Sequence, residues 1–236
     1  MILIAIFVNY KIKPKIKQYK DEAKILVEES TVDTFKINNS QTILSYEEIP
    51  ENVKNAFVSI EDRRFWKNNG IDVIGIAAAI YEKVFEGQPL RGASTITQQV
   101  AKNIFLSNER TFTRKVKEYF IARELTKKYS KEEILTFYIN TCYFANGAYG
   151  IEDASIKYFG KSSKDLTLAE TTYLCSLPNR PSYFDPFKDI EKAKPRQRKI
   201  LKDMLRDNKI TKEDLQNALK EEIKIVNKEK ENEFLQ

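Results

Sequence analysis

A mainly α-helical fold is what this sequence predicts, and three observations predict it. Gly and Pro, the residues that punctuate loops, number only 7 each in 236 residues, while Ile, Leu, Lys and Glu are abundant. Capping-box spacings, a Ser or Thr followed three residues later by Glu, recur at Ser45–Glu48, Ser130–Glu133 and Thr167–Glu170. Hydrophobic residues at 42% and aromatics at 11% are globular values, enough for a substantial core in one domain or one and a half.

Taken in order, the elements begin with an apolar run, Ile2 to Val8, followed by Lys11, Lys13, Lys15, Lys17 and Lys20. A hydrocarbon core needs about 20 apolar residues, so this run does not cross one by itself. It reads as the end of a longer spanning helix, as an interfacial anchor held by its lysines against anionic lipid, or as an ordinary first helix. Residues 31–46 read as a short hairpin: Thr31 to Ile37 and Gln41 to Leu44 flank the turn Asn38-Asn39-Ser40. Pro50 suits a first helical turn, and Val53, Phe57 and Ile60 give one helical face that ends at Glu61. Ile71 to Phe85 is apolar around most of its girth and reads as a core helix ending at Gly87, before a loop from Gln88 to Ala93. Helices follow over Thr95–Leu106, Arg114–Lys128 and Ser130–Asn140. Tyr143 to Gly150 is an aromatic, Gly-containing loop. Ile151–Phe159 closes at Gly160, and the helix capped by Thr167 stops at Pro178 and Pro181. From Glu191 onward the pattern is a charged helical pair with a turn near Asn208 and a start at Thr211.

The chemistry is constrained by what is missing. There is no His, so proton transfer falls to Glu, Asp, Lys or Tyr, and the commonest metal ligand is absent. Cys142 and Cys175 are too few for a disulfide scaffold and are not spaced for zinc; they read as buried free thiols. No phosphate-binding Gly-rich loop and no nucleic-acid module is present, although the net charge of +6 suits an anionic partner. On Thr95–Leu106 an apolar stripe of Ile96, Val100 and Ile104 faces away from Ser94, Thr95, Gln98, Gln99 and Lys102, and no carboxylate occurs from residue 87 to 108. Neutral hydrogen-bonding groups with a single cation suit sugar hydroxyls and a phosphate. Glu118 lies on a stripe with Ile121, Ala122 and Leu125, with Arg114 one turn before it. A buried carboxylate there requires a partner.

Five blocks then stand in a distinctive order: Glu61-Asp62-Arg63-Arg64-Phe65 to Gly70; Gly92-Ala93-Ser94-Thr95-Ile96-Thr97-Gln98-Gln99; Arg114-Lys115-Val116-Lys117-Glu118; Asn146-Gly147-Ala148-Tyr149-Gly150 with Tyr158-Phe159-Gly160-Lys161; and Ala169-Glu170 running to Leu177-Pro178 and Pro181-Ser182-Tyr183. In these blocks, over residues 46–222, the chain resembles the peptidoglycan glycosyltransferases of family 51, found as monofunctional transglycosylases and as the first domain of bifunctional penicillin-binding proteins. The resemblance implies a lysozyme-like helical globular domain with a smaller membrane-associated lobe. It implies polymerisation of lipid II, in which the growing lipid-linked chain is the donor and undecaprenyl diphosphate leaves with inversion at the MurNAc anomeric carbon. Glu61 matches the family's catalytic base and Glu118 its second catalytic Glu. Ser94, Thr97, Gln98, Gln99, Lys102, Asn103, Arg110, Arg114 and Lys115 fall on the substrate-binding positions, with the cations facing the diphosphate. Phosphoglycolipid inhibitors such as moenomycin resemble that donor. One position departs: the family's first block carries His where this chain has Asn68, which keeps an orienting role and loses a titrating one.

On this reading residues 1–20 form a membrane-proximal anchor segment and 21–236 the glycosyltransferase domain. It works at the cell membrane on the extracytoplasmic face. Its partners are lipid II, the growing glycan, an anionic membrane surface and the cell-wall synthesis machinery, with no nucleic acid. No cofactor or metal site is required, and a magnesium or manganese ion is compatible with the chemistry. Two alternatives remain open: a lytic, lysozyme-like enzyme using the same two carboxylates, and a lipid II-binding scaffold without activity, motivated by Asn68. No transpeptidase signature occurs, and the sequence is compatible with both a monofunctional enzyme and part of a bifunctional protein.

Overall fold

The computed structural model describes residues 13–35, 42–87, 92, 94–106, 109 and 111–226. Among them are ten α-helices, several single 3-10 turns and no strand, so the expected mainly α class holds. The helices are α1 (Lys13–Glu29), α2 (Glu51–Glu61), α3 (Val73–Phe85), α4 (Ile96–Phe105), α5 (Phe112–Lys128), α6 (Lys131–Thr141), α7 (Ile151–Phe159), α8 (Leu168–Leu174), α9 (Lys194–Arg206) and α10 (Lys212–Lys220). The chain divides into two compact units, Met1–Phe35 with Arg64–Ile134 and Lys36–Arg63 with Leu135–Gln236, so that α6 begins in the first and ends in the second.

In the first unit α5 is the spine, packed on one side by α1 and on another by α4. Ala23 and Val27 of α1, Ile96, Val100 and Ala101 of α4, and Ile121, Ala122 and Leu125 of α5 are buried together with Glu118, as the apolar stripes predict. The C-terminus of α1 is satisfied from α5's last turn: Lys128 Nζ donates to the carbonyls of Val27 (2.8 Å), Glu28 (2.9 Å) and Ser30. A cation there also complements the negative end of the helix dipole.

The second unit is built on α2, α8 and α9, which pack mutually, with α10 against α8 and α9. Its core includes Val53, Ala56 and Phe57 of α2, Leu174 of α8, and Ile200, Leu201 and Met204 of α9. The Phe57 ring meets Tyr138 edge-on at 5.2 Å and Phe144 at 6.3 Å. Capping boxes open α8 at Thr167 and α10 at Thr211, and in the first unit Ser130 and Glu133 exchange the same bonds at the start of α6. Asn208 adopts a left-handed φ of 56° at the expected turn. Cys142 and Cys175 are buried and free, and burial pushes the Cys175 thiol and the Tyr138 phenol well above their ordinary values.

Three expectations are corrected. The first arm of the hairpin is not extended: Val32–Phe35 is a 3-10 turn, closed by Thr34 N to Thr31 O (3.0 Å) and Thr31 N to Thr34 Oγ1 (2.9 Å). The turn drives Phe35 into the core against Phe105 and Tyr129, and that burial outweighs the β-propensity of Thr and Val. The turn residues Asn38, Asn39 and Ser40 lie outside the described residues. At Ser45 the capping-box bonds form, yet they close only a turn, and α2 begins after Pro50 as its N-cap.

The third correction is α3, expected to be core. Only Gly75 and Ala79 are buried, while Val73, Ile74, Ile80, Val84 and Phe85 are mainly exposed, Phe85 at 73%. Bulky apolar residues occupy every face of α3, but only its narrow Gly/Ala edge is covered. The segment read as an anchor, residues 1–20, is described only from Lys13, where it is already α1 and runs without a break past residue 20. No helix among the described residues is long and apolar enough to cross a membrane.

Candidate active site

Within the first unit the end of the first block and the start of the second meet α5 at Gly70. Its φ is +83°, and a Cβ there would lie 2.7 Å from the Ala122 carbonyl oxygen and 2.5 Å from Thr126 Oγ1 on α5. Only Gly fits so close an approach. The Gly70 carbonyl accepts from Thr95 Oγ1 at 2.6 Å, so the end of the first block is clasped by the N-cap of α4 and by α5. Asn68 is buried just before it, and its side-chain oxygen accepts from Gly70 N and from Lys131 Nζ, both at 3.1 Å. Asn68 thus fixes the backbone of the turn at Gly70 and ties it to Lys131 of α6. Arg64 and Asp72 complete the turn with a bidentate pair at 2.9 and 2.6 Å, while Asp72 caps α3.

From that clasp the site is assembled on α4 and α5. Thr95 caps α4, and Gln98 is spent on the same cap: its side chain accepts from Thr95 N at 3.1 Å. Thr97 is fully buried, and its hydroxyl has no partner among the described residues. Thr97 and Gln98 thus face inward, whereas Gln99 and Lys102 are part-exposed and Asn103 is exposed. Arg110 lies outside the described residues. Ser94, Arg114, Lys115 and Glu118 are brought together. Lys115 Nζ donates to Ser94 Oγ at 2.8 Å and to Glu118 Oε1, and Arg114 Nη1 donates to Glu118 Oε2 at 2.7 Å. Glu118, at 2% exposure, is a buried carboxylate gripped by two cations from its own helix, the pairing that burial requires.

The position of those cations breaks a local rule. Thr111 caps α5, its hydroxyl accepting from Arg114 N, and no acidic residue occupies the first turn. Arg114, Lys115 and Lys117 stand near the positive end of the helix dipole, where cations are disfavoured and anions welcomed. Arg114 Nε is buried with no partner among the described residues. The arrangement concentrates positive potential and hydrogen-bond donors around one short stretch of surface, chemistry suited to an anionic oxygen cluster.

Glu61, the other sequence-predicted carboxylate, belongs to the second unit and is the last residue of α2. Its Oε1 accepts from Arg196 Nη2 at 2.5 Å, with both side chains largely buried. Arg196 is a residue the sequence reading misses, 135 positions away. A signal existed: Pro195 opens a helix, and Arg196 precedes Ile200 by one turn on its buried side. The Glu61 charge is felt at Tyr138 and Cys175, whose raised values owe most to burial and a lesser part to that charge.

The fourth and fifth blocks meet in the same unit. Ala145, Asn146 and Gly147 take successive left-handed conformations, and Asn146 Nδ2 donates to Asp185 Oδ1 at 2.7 Å and to Tyr158 Oη at 3.1 Å. Burial raises the Asp185 carboxyl, but hydrogen bonds from Asn146, Phe187 N and Lys188 outweigh it and hold the group below its ordinary value. These residues shape the chain after α6 and lie outside the expected site.

Comparison with known proteins gives one answer. Residues 28–205 match the transglycosylase family model. Penicillin-binding protein 4 of Bacillus subtilis is 39% identical over 197 residues, 84% of this chain and 32% of its own length. Penicillin-binding protein 1A of Neisseria flavescens is 40% identical over 228 residues, 94% of this chain and 29% of its own. The crystal structure of penicillin-binding protein 1A from Haemophilus influenzae shares the fold, with a TM-score of 0.50 at 21% identity over 80% of this chain and 19% of that one. The chain spans about a third of the length of the curated relatives it matches. With the family model covering most of its length, the chain belongs to the transglycosylase family of peptidoglycan glycosyltransferases.

Proposed function

We propose that this chain polymerises lipid II, with Glu61 as general base and the Ser94–Arg114–Lys115–Glu118 cluster as the site of the donor diphosphate. A sugar hydroxyl is a poor nucleophile at neutral pH, so a fixed carboxylate that accepts its proton as the bond forms contributes about 10²–10⁴-fold. Glu61 takes that proton from the acceptor 4-hydroxyl while the hydroxyl oxygen attacks the donor's anomeric carbon. Arg196 orients the carboxylate. The bond to the diphosphate oxygen breaks, its electron pair stays with the leaving group, and the anomeric configuration inverts.

The observation that carries this reading is the pair of cations on Glu118. Leaving-group charge is best met by donors held in place beforehand. Glu118 supplies the holding, since it fixes Arg114 and Lys115 from below while Arg114 Nε stays uncommitted. Lys102, Arg110, Gln99 and Asn103 complete the donor site, with Thr97 and Gln98 supporting it from beneath. A lytic enzyme has no diphosphate to stabilise and no use for cations set against a helix dipole. The exposed apolar girth of α3 supports a membrane-associated lobe, because apolar surface of that extent is costly in water. The domain accordingly works at the membrane's extracytoplasmic face, where its lipid-linked substrate lies.

The test is product analysis on lipid II with the purified chain. Lengthened glycan released together with undecaprenyl diphosphate is the expected result. Fragments from finished cell wall with no polymer would establish the lytic reading, and donor binding with neither product would establish the scaffold.

A further inference from the structure

In the second unit, the turn that follows the 3-10 turn Leu177–Asn179 presents a side-chain pair that the proposed reaction does not use. Tyr183 N and Phe184 N both donate to the Arg180 carbonyl, at 2.9 and 2.8 Å, and Phe184 and Asp185 are buried next to them. The turn is fixed from within, yet its outer side chains face solvent: Tyr183 is 49% exposed, and Arg180 is exposed as well. The Arg180 guanidinium lies over the Tyr183 ring, 4.7 Å from its centre, and Lys192 Nζ lies 5.4 Å from the same centre. We propose that Arg180 and Tyr183 form a recognition site for a carboxylate of the peptide that the acceptor lipid II carries on its MurNAc sugar, a reading that rests on the glycosyl transfer at Glu61 proposed above.

An arginine held in place with its donors unspent carries the argument. Lys188, Lys192 and Lys194 each have a carboxylate, from Asp185, Asp189 and Glu191. Arg180 has none: among the described residues its guanidinium meets only the Tyr183 ring. A guanidinium over a ring is held through its charge and flat face, while the N–H donors lie in its plane and remain for a partner. The partner that fits is a flat oxyanion, taken by two parallel bonds, with apolar atoms beside it for the ring. A peptide carboxylate next to a methyl group has both. A diphosphate is not flat and is better met by clustered cations, as at Arg114 and Lys115. Placement agrees with a peptide. Lys192 ends the 3-10 turn that leads into α9, and Arg196, which holds Glu61, stands in the first turn of α9. The sugar whose 4-hydroxyl meets Glu61 is joined to the MurNAc that bears the peptide, so a peptide site belongs near the base without reaching it.

The test uses the whole chain, holds a short lipid-linked glycan constant as donor and varies the acceptor among three lipids. These are lipid II, lipid II with its peptide carboxylates amidated, and the lipid-linked disaccharide without peptide. The wild type is expected to show a KM for lipid II about three- to fivefold below those for the other two, the scale of one charged contact at an exposed site. Arg180→Ala should erase that difference by raising KM for lipid II alone, with kcat and melting temperature unchanged. Arg180→Lys should recover only part of it, since an ammonium lacks the planar fork. Tyr183→Ser should act in the same direction by removing the ring that holds the guanidinium. Equal KM of the wild type for all three acceptors, or a difference that survives Arg180→Ala, would overturn the site. A rise in KM that is as large for the peptide-free disaccharide would also overturn it, because the guanidinium would then serve the diphosphate or the sugars. Failure of the underlying reading looks different: no polymer from any acceptor removes the glycosyl transfer. Direct binding of the same three lipids then decides the site, an Arg180-dependent preference for free carboxylates retaining it and equal binding removing it.

Discussion

Glu118 and Glu61 are both helical carboxylates paired to arginine, and they are built in opposite ways. Glu118 draws both its cations from its own helix, three and four residues back, and is sealed at 2% exposure. Glu61 ends its helix, where the dipole disfavours an anion, and depends on Arg196 from α9. The first arrangement forms whenever α5 forms; the second requires the second unit to be folded and α9 packed on α2. A carboxylate whose two oxygens are both committed to cations serves to hold those cations. One oriented from another helix by a long-range arginine, at a helix end where the dipole disfavours the anion, is suited to move a proton.

The largest effect that can break this contrast comes from Glu61→Gln. It preserves shape and removes the base, so polymerisation should fall about 10²–10⁴-fold with melting temperature nearly unchanged. A variant retaining more than about a tenth of wild-type rate contradicts the base role.

Arg196→Ala should come next. The fold has other anchors between α2 and α9, but Glu61 loses its orientation, and misplacement of this kind costs up to about 10²-fold in kcat with little change in KM. Arg196→Lys should restore part of it, since it returns the charge without the planar fork. A loss confined to melting temperature, with normal kcat in the folded protein, would assign Arg196 to stability alone.

The same contrast between local and long-range partners separates what the sequence made legible from what it did not. Glu118, Arg114 and Lys115 share one helix, so helical spacing alone places them together, and the Thr167 and Thr211 starts are equally local. Arg196 beside Glu61, Gly70 beneath α5 and Asp185 beside Asn146 are tertiary, and no periodicity in the chain encodes them. The error at α3 has another cause. An all-apolar girth signals an apolar environment without saying whether protein supplies it, and in α3 only the Gly75–Ala79 edge meets protein. At Val32–Phe35 residue preference pointed to a strand, and one buried ring overruled it.

The smallest predicted effect lies in the second unit and sharpens the comparison by control. Asp185 is held below its ordinary value of 3.8 in the fold, so its contribution is fully present above that value and is lost as pH falls through the lowered one. Asp185→Asn should therefore flatten the fall in melting temperature below about pH 4, with activity at neutral pH little altered. A melting profile in acid identical to that of the wild type would show the Asn146 bond to be without consequence.

The most direct test of the central division, with Glu61 acting on the proton and the α5 cluster on the phosphate, is the affinity of a donor-like phosphoglycolipid such as moenomycin for Glu61→Gln and Lys115→Ala side by side. Glu61→Gln should bind it as the wild type does. Lys115→Ala should lose at least about tenfold, the value of a charge-assisted contact in a sheltered site. Equal weakening in both variants, or full affinity in Lys115→Ala, would contradict the division.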